Sequence, residues 1–293
     1  MKNNLTSRRN RTGFLFTLPY IIGFIMFFLI PIIQSVILSI TSIVPGDRGI
    51  VYTYIGIENY SYLFRNEPKF IPNLGNTVTS IFSGLFLILV FSFFVANMLV
   101  QNFKGRTVAR AVFFLPVIIT SGVVISYIKG DINAQEVLSG SGQTTQMQID
   151  IMRSMLADMN LRNDIVDAII KILNSIFEIP WKSGIQILIF MAGLQSISPS
   201  IKEAAKVEGV TGWDFFWKIT LPMLTPILQL NVIYTIIDGF TDLSNPVIKM
   251  IFNYNNKLDY GYASAISWTY FSIIFAITIV IYLLSRKKVF SYT

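Results

Sequence analysis

Six stretches of the chain contain no charged side chain: Thr12–Gly46 (35 residues), Phe70–Phe103 (34), Ala111–Ile128 (18), Ser183–Ile201 (19), Ile219–Ile237 (19) and Tyr260–Ser285 (26). A helix rises 1.5 Å per residue, so about 17 to 25 apolar residues cross the roughly 30 Å hydrocarbon layer of a bilayer. The pattern therefore predicts an all-α, polytopic membrane protein. Its six transmembrane helices are expected near residues 14–41, 77–100, 109–128, 183–197, 223–245 and 262–285. Residues 129–182 form an insertion between the third and fourth spans, and residues 198–222 form the loop between the fourth and fifth.

Composition agrees with that reading: 53% of residues are hydrophobic and only 13% are charged, too few charges for a soluble domain. The formal net charge of +7 would suit nucleic acid if it were concentrated in one basic face. Here it is spread between hydrophobic spans, which argues against a nucleic-acid partner. Its distribution instead sets orientation. Segments 1–13, 101–110, 198–222 and 286–293 hold thirteen Lys/Arg and only three acids, Glu203, Glu208 and Asp214. The intervening segments on the other side carry ten Lys/Arg and eleven acids in much longer loops. The positive-inside rule places the first set, and with it both termini, in the cytoplasm. The N-terminal Lys2, Arg8, Arg9 and Arg11 precede an apolar run far longer than a signal-peptide core, so an uncleaved first span is expected.

The external connections differ in kind. Residues 43–75 read as a loop with turn signals at Pro45-Gly46 and Glu67-Pro68. In the insertion, Ser139 to Thr145 is polar, and Met147, Ile151, Met155 and Met159 follow at helical spacing. Ile165, Val166, Ile169, Ile170, Leu173, Ile176 and Phe177 then mark an amphipathic helix capped by Asn163 and stopped at Pro180. With Asp164, Asp167, Lys171 and Glu178 opposite, it suits the outer interface; an extension of the fourth span kinked at Pro180 is the alternative.

The cytoplasmic loop from Ser198 to Pro222 carries the densest local signals. Ser200 with Glu203 forms a capping-box pattern, and Gly209 stands where a left-handed residue ends a helix. Thr211 with Asp214 repeats the box and starts a second helix, with Trp213, Phe216 and Trp217 toward the membrane and a break at Pro222. Two short helices meeting at a glycine elbow suit either a partner-docking element or a plain interfacial connector. In the first case Ala204-Ala205 allow close approach and the charges of Lys202, Glu203, Lys206 and Glu208 set register.

The order Glu203-Ala204-Ala205, Glu208-Gly209-Val210, Phe216, Ile219, Leu221-Pro222 and Pro226 resembles the Glu-Ala-Ala signature of permease subunits of binding-protein-dependent ABC importers, in particular the sugar-permease branch. Further pieces agree: Leu18-Pro19, Phe28 to Pro31, Gly56-Ile-Glu-Asn-Tyr60, Asn76-Thr77, Phe103-Lys-Gly-Arg106 with Arg110, Phe113-Phe-Leu-Pro116 and Met191-Ala-Gly-Leu-Gln195. Only about residues 129–182 fall outside. The sequence departs at Glu208 and Val210, where Asp and Ala are commoner, and at Ser244-Asn-Pro246, which replaces Gly-Gly-Pro.

The resemblance implies a type I ABC importer permease fold in the inner membrane of a prokaryote. It assigns Glu203, Ala204, Ala205, Glu208 and Gly209 to contact with a cytosolic ATPase dimer. It also implies a second, homologous permease subunit, an extracytoplasmic solute-binding protein and a carbohydrate substrate. Such a subunit is not itself an enzyme. No Gly-x-x-x-x-Gly-Lys-Ser/Thr motif occurs, so ATP and magnesium would be held by the partner ATPase and no cofactor by this chain.

One feature of the fifth span reads directly from physics. An acid near the bilayer centre costs about 2.5 to 3.5 kcal/mol. From an inner boundary at Leu224, Asp238 lies roughly 21 Å across and Asp242 roughly 27 Å, at the outer surface. With Asn231, Tyr234 and Asn245 they sample a polar strip that suits a hydroxyl-rich solute in a translocation path. A seam packed against a second subunit would look the same, and Asp242 would also suit a plain interface position.

An ion-coupled secondary transporter using Asp238 and Asp242 is the alternative function. It leaves the Glu-Ala-Ala loop unexplained. The chain has no His and no Cys, which removes zinc sites, thiol nucleophiles, disulfides and histidine bases and weakens any reading as a membrane enzyme.

Overall fold

In the computed structural model the described residues are 2–46, 49–120, 165–166, 179–180, 182–243 and 245–286. The helical pattern expected at 147–159, that expected at 163–180 except residues 165–166 and 179–180, and nearly all of the external insertion lie outside them.

Helix α1 (Lys2–Phe24) passes through a π-turn (Ile25–Leu29) into α2 (Ile30–Ser39). Pro31 cannot donate a backbone hydrogen bond and its ring crowds the carbonyl four residues back. The π-turn shifts the register there, so that the Ile30 N–H reaches the Ile25 carbonyl.

The segment expected to be an external loop then opens with a hairpin. Strands β1 (Thr41–Gly46) and β2 (Gly49–Tyr54) form an antiparallel hairpin in the register Thr41 to Tyr54 and Gly46 to Gly49. Pro45 and Gly46, expected at a turn, are instead the last paired residues of β1; the β-branched and aromatic runs Ile43-Val44 and Ile50-Val51-Tyr52 favour strand pairing over a loop.

Next come α3 (Glu58–Arg65), α4 (Phe70–Val100) and α5 (Arg106–Thr120). After the insertion follow α6 (Gly184–Ser196), α7 (Pro199–Val207), α8 (Gly212–Met223), α9 (Thr225–Thr241), α10 (Pro246–Asn256) and α11 (Tyr260–Arg286). Three helical stretches, Thr12–Ser39, Phe70–Val100 and Tyr260–Ser285, are each long and apolar enough to cross a bilayer. The bent pairs α6 with α7 and α8 with the run beginning at Thr225 raise the number among the described residues to five. The remaining expected crossing, 109–128, overlaps α5, and its residues 121–128 lie outside the described ones. Many apolar side chains on the long helices face outward, Phe16, Phe27 and Phe86 among them, as lipid contact requires.

The chain divides into two compact units, Met1–Ser80 with Ile237–Val280, and Ile81–Ile236 with Ile281–Thr293. In the first, the Asn59 amide donates to the Ser39 carbonyl (3.0 Å), the Tyr60 hydroxyl donates to Ser39 Oγ (2.8 Å) and Trp268 Nε1 donates to Ser35 Oγ (3.1 Å). These bonds hold the end of α2 against α3 and α11. Gly261 permits that contact, because a Cβ there would collide with the Thr41 carbonyl oxygen.

The second unit has its core around Val95, Leu99, Ile187, Phe190, Met191, Leu194 and Leu224. Phe93 meets Phe190 edge-on at 5.5 Å and Phe216 at 5.6 Å. Arg110 donates from Nε and Nη2 to the Leu99 carbonyl (3.2 and 2.8 Å). That carbonyl belongs to the last turn of α4, where no intrahelical donor is available.

Candidate functional site

The elbow between α7 and α8 is built from its own backbone. Glu208 closes α7, and Gly209 adopts φ +73°, a left-handed conformation that glycine enters without steric cost. The Gly209 N–H donates to the Lys206 carbonyl (3.1 Å) and the Val210 N–H to the Ala205 carbonyl (3.0 Å). This pair of bonds is the Schellman arrangement that satisfies the last carbonyls of a helix.

The start of α7 differs from the expected capping box. Pro199 takes the first helical position and Ser198 the cap, with no side-chain cap bond. Proline has the right φ for that position and needs no N–H there, so the helix begins before Ser200 can cap it. Ser200 instead shares a 2.9 Å hydrogen bond with Ser198.

At α8 the expected box is present in a variant form. The Asp214 N–H donates to Thr211 Oγ1 (3.2 Å), whose hydroxyl donates to Asp214 Oδ2 (2.7 Å). Lys218 Nζ lies 2.7 Å from Asp214 Oδ1. The Lys218 hydrogen bond, then that of Thr211, holds the Asp214 carboxyl below its ordinary range.

The helix does not break at Pro222. A π-turn, Phe216–Thr220, absorbs the proline as at Pro31, and the break falls at Leu224. Bends of 62° before α7 and 64° after α8 turn the two short helices away from their spans.

Of the residues expected at a partner contact, Glu203, Ala204, Glu208 and Gly209 are exposed, while Ala205 is buried beneath them. Val207, 90% exposed on the same short helix, is not singled out by the sequence pattern. Trp213 and Trp217 pack edge-on at 5.6 Å with their outer faces open. Behind the loop a cavity of about 180 Å³ is lined by Phe93, Asn97, Lys202, Phe216 and Thr220 among others.

The polar strip separates into residues of different character. Asn231 is wholly buried: its Nδ2 donates to the Gln186 carbonyl (3.0 Å), and Gln186 Nε2 donates to Thr235 Oγ1 (3.3 Å). Gln186 Oε1 and Asn231 Oδ1 are buried and have no hydrogen-bond partner among the described residues. Gln186 and Thr235 escape a reading of the sequence because single polar residues in apolar spans carry no period of their own.

Asn245 is a helix cap rather than an open wall of a path. Its Oδ1 accepts from the Val247 N–H (2.9 Å) and the Thr77 hydroxyl (3.0 Å), and its Nδ2 donates to the Tyr270 hydroxyl (2.7 Å). Asparagine carries the cap because its side chain both accepts and donates. Tyr234 and Asp238 are half-buried on α9, on the helix face that also carries Asn231. Asp242, also half-buried, lies just past the end of that helix. Among the described residues no cluster of three or more acids could hold a metal ion.

A mostly helical, membrane-crossing chain with a two-helix elbow between bent spans defines the permease class of transporter subunit, and comparison with known proteins agrees. Residues 179–288 match the family described as binding-protein-dependent transport system inner membrane component. The chain is 30% identical over 300 residues to "Probable ABC transporter permease protein YesP" of Bacillus subtilis, covering 96% of this chain and 93% of that one. It is 29% identical over 294 residues to the multiple sugar-binding transport system permease protein MsmF of Streptococcus mutans, covering 94% and 95%. With the arabinooligosaccharides transport system permease protein AraP of Bacillus subtilis it shares 29% over 236 residues, covering 78% and 68%. A chain of the crystal structure of a bacterial alginate ABC transporter, in complex with its alginate pentasaccharide-bound periplasmic protein, has the same fold. The TM-score is 0.66 at 19% identity, covering 96% of both chains. The chain belongs to the ABC transporter permeases, the inner membrane components of binding-protein-dependent transport systems.

Proposed function

We propose that this chain forms half of the translocation path of an ATP-driven importer for a mono- or oligosaccharide. It hydrolyses nothing itself. A cytosolic ATPase dimer binds ATP and magnesium, a second homologous permease completes the path, and an extracytoplasmic binding protein delivers the solute. Both termini are cytoplasmic in this reading, as the density of Lys and Arg requires.

The observation that carries the proposal is the elbow. Gly209 ends α7 in a form that leaves Glu203, Ala204 and Glu208 exposed on a short, rigid helix, and the following helix leads directly into α9. Movement of α7 by an ATPase is therefore passed along the chain to the span that bears Tyr234 and Asp238. Asn231 and Asn245 support that span from buried positions, while the half-buried Tyr234, Asp238 and Asp242 are the residues assigned to solute in this reading. Relatives named for arabinooligosaccharides, multiple sugars and, in Thermococcus litoralis, trehalose/maltose favour a carbohydrate. A hydroxyl-rich solute also matches carboxylate acceptors beside a tyrosine ring.

The test is uptake by proteoliposomes that contain the complex purified from the native membrane, with the native extracytoplasmic protein fraction outside. Labelled oligosaccharide should accumulate only when ATP is present on the ATPase side. Uptake driven by an ion gradient without ATP would overturn the proposal and make Asp238 and Asp242 coupling sites.

A further inference from the structure

Within the first unit, two helical stripes face one groove. Lys249, Asn253 and Lys257 recur every fourth residue along α10 and its C-cap, and Lys69 with Asn73 does the same at the start of α4. Together with Glu67 they line a groove of about 460 Å³, within the range of small-molecule sites.

The polar groups of the groove are set in order. The Tyr254 hydroxyl donates to Glu67 Oε2 (2.5 Å), and the Lys257 ammonium lies 5.3 Å from the centre of the Tyr254 ring. Tyr262 meets that ring edge-on at 4.7 Å. Lys69, Lys249 and Lys257 are exposed, and among the described residues none of them is ion-paired. Three exposed lysines thus line a concave surface whose one lining acid, Glu67, accepts a hydrogen bond from Tyr254. The surplus positive charge calls for anionic groups. The amides of Asn73 and Asn253 both donate and accept, which matches the vicinal hydroxyls of a sugar ring. A concave site with directional groups fits a compact ligand better than the broad, flatter face of a protein partner.

We propose that this groove binds a carboxylate-bearing saccharide, so that the substrate class is an acidic rather than a neutral oligosaccharide. The inference rests on the carbohydrate-importer reading and narrows it. The groove is built from residues 67–73 and 246–257, segments that the distribution of Lys and Arg assigns to the external side, where solute would arrive. Lys69, Lys249 and Lys257 pair with uronate carboxylates, and Asn73 and Asn253 bond to the hydroxyls between them.

The experiment uses the complete complex in nanodiscs of zwitterionic lipid and titrates three probes: trigalacturonate, maltotriose and octaglutamate. Trigalacturonate should bind, and more weakly as salt rises, because exposed ion pairs are screened. The double substitution Lys249→Gln with Lys257→Gln should weaken it by about tenfold, whereas Lys249→Arg with Lys257→Arg should preserve it. Thermal unfolding and ATPase recovery of each variant serve as folding controls. Equal binding of maltotriose and trigalacturonate would overturn the acidic class while leaving carbohydrate import standing. Octaglutamate that binds as tightly as trigalacturonate and displaces it would make the groove a seat for an acidic protein segment. Trigalacturonate binding that ignores the lysine substitutions would place the ligand elsewhere. Stimulation of the ATPase by non-carbohydrate solutes alone would instead overturn the parent proposal.

Discussion

Gly193 and Ile227 belong to helices that touch without room for one more atom. A Cβ on Gly193 would lie 2.8 Å from Ile227 Cγ2 and 2.9 Å from Leu224 Cδ2. This contact joins the span that enters the elbow, α6, to the span that leaves it, α9. Small residues at such crossings let transmembrane helices approach closely.

Gly193→Ala should therefore force the two helices apart, at a cost of about 1 to 3 kcal/mol. Chemical unfolding of the solubilised chain, followed by helical circular dichroism, measures this. Wild-type stability in the variant would contradict the close contact.

Gly209 poses a different problem for a side chain. A Cβ there would meet nothing within 4 Å, so the penalty of Gly209→Ala is confined to backbone strain, about 1 to 2 kcal/mol. Gly209→Asn should cost less, since asparagine tolerates the left-handed region. Gly209→Pro cannot adopt the required φ and should abolish the elbow. Hydrogen exchange at Val210, whose N–H bonds to the Ala205 carbonyl, should rise in the order Asn, Ala, Pro.

Asn245→Ala removes a helix cap, worth about 1 kcal/mol. It also leaves the buried Thr77 hydroxyl without its acceptor, adding about 1 to 3 kcal/mol, whereas the Tyr270 hydroxyl keeps its bond to the Phe240 carbonyl. Asn245→Asp keeps the acceptor for the Val247 N–H and loses the amide's donation to Tyr270 and to the Gly239 and Phe240 carbonyls, so it should fall between wild type and alanine. The midpoint of thermal unfolding ranks the three.

Asp214 makes the local stability of α8 depend on pH. Its folded carboxyl titrates below the ordinary range because of Lys218 and Thr211. A depressed carboxylate contributes stability that is present above the unfolded pKa and lost as the pH falls through the folded one. The protection factors of the α8 amides, which divide out the intrinsic pH dependence of exchange, should thus be constant at neutral pH and fall only below about pH 4. Asp214→Asn should remove that acid-dependent step.

Much of the architecture was legible in the sequence, because charge-free length and the spacing of Lys and Arg follow from the bilayer itself. The end of α7 at Gly209 and the cap of α8 at Thr211 were legible for a local reason: each is fixed by residues within one turn. Where distant parts meet, the sequence was silent. Asn245 reads as the wall of a path because nothing nearby shows that Thr77 and Tyr270 converge on its amide. The break expected at Pro222 falls at Leu224 because a π-turn absorbs the proline, and a proline alone does not distinguish a break from a bulge. Hairpin β1–β2 is hard to see in the sequence because its two short runs adjoin a far longer apolar span.

The central claim is that the elbow engages an ATPase, and the cysteine-free sequence allows one direct measurement. A benzophenone maleimide attached to Ala204→Cys, on the exposed side of α7, is photolysed in native membranes and the adduct is identified. The expected result is an adduct with a P-loop ATPase subunit, lost when Gly209→Pro is added while the permease remains folded. Absence of any ATPase from the adduct, together with ion-driven solute uptake by the chain reconstituted alone, would contradict the claim.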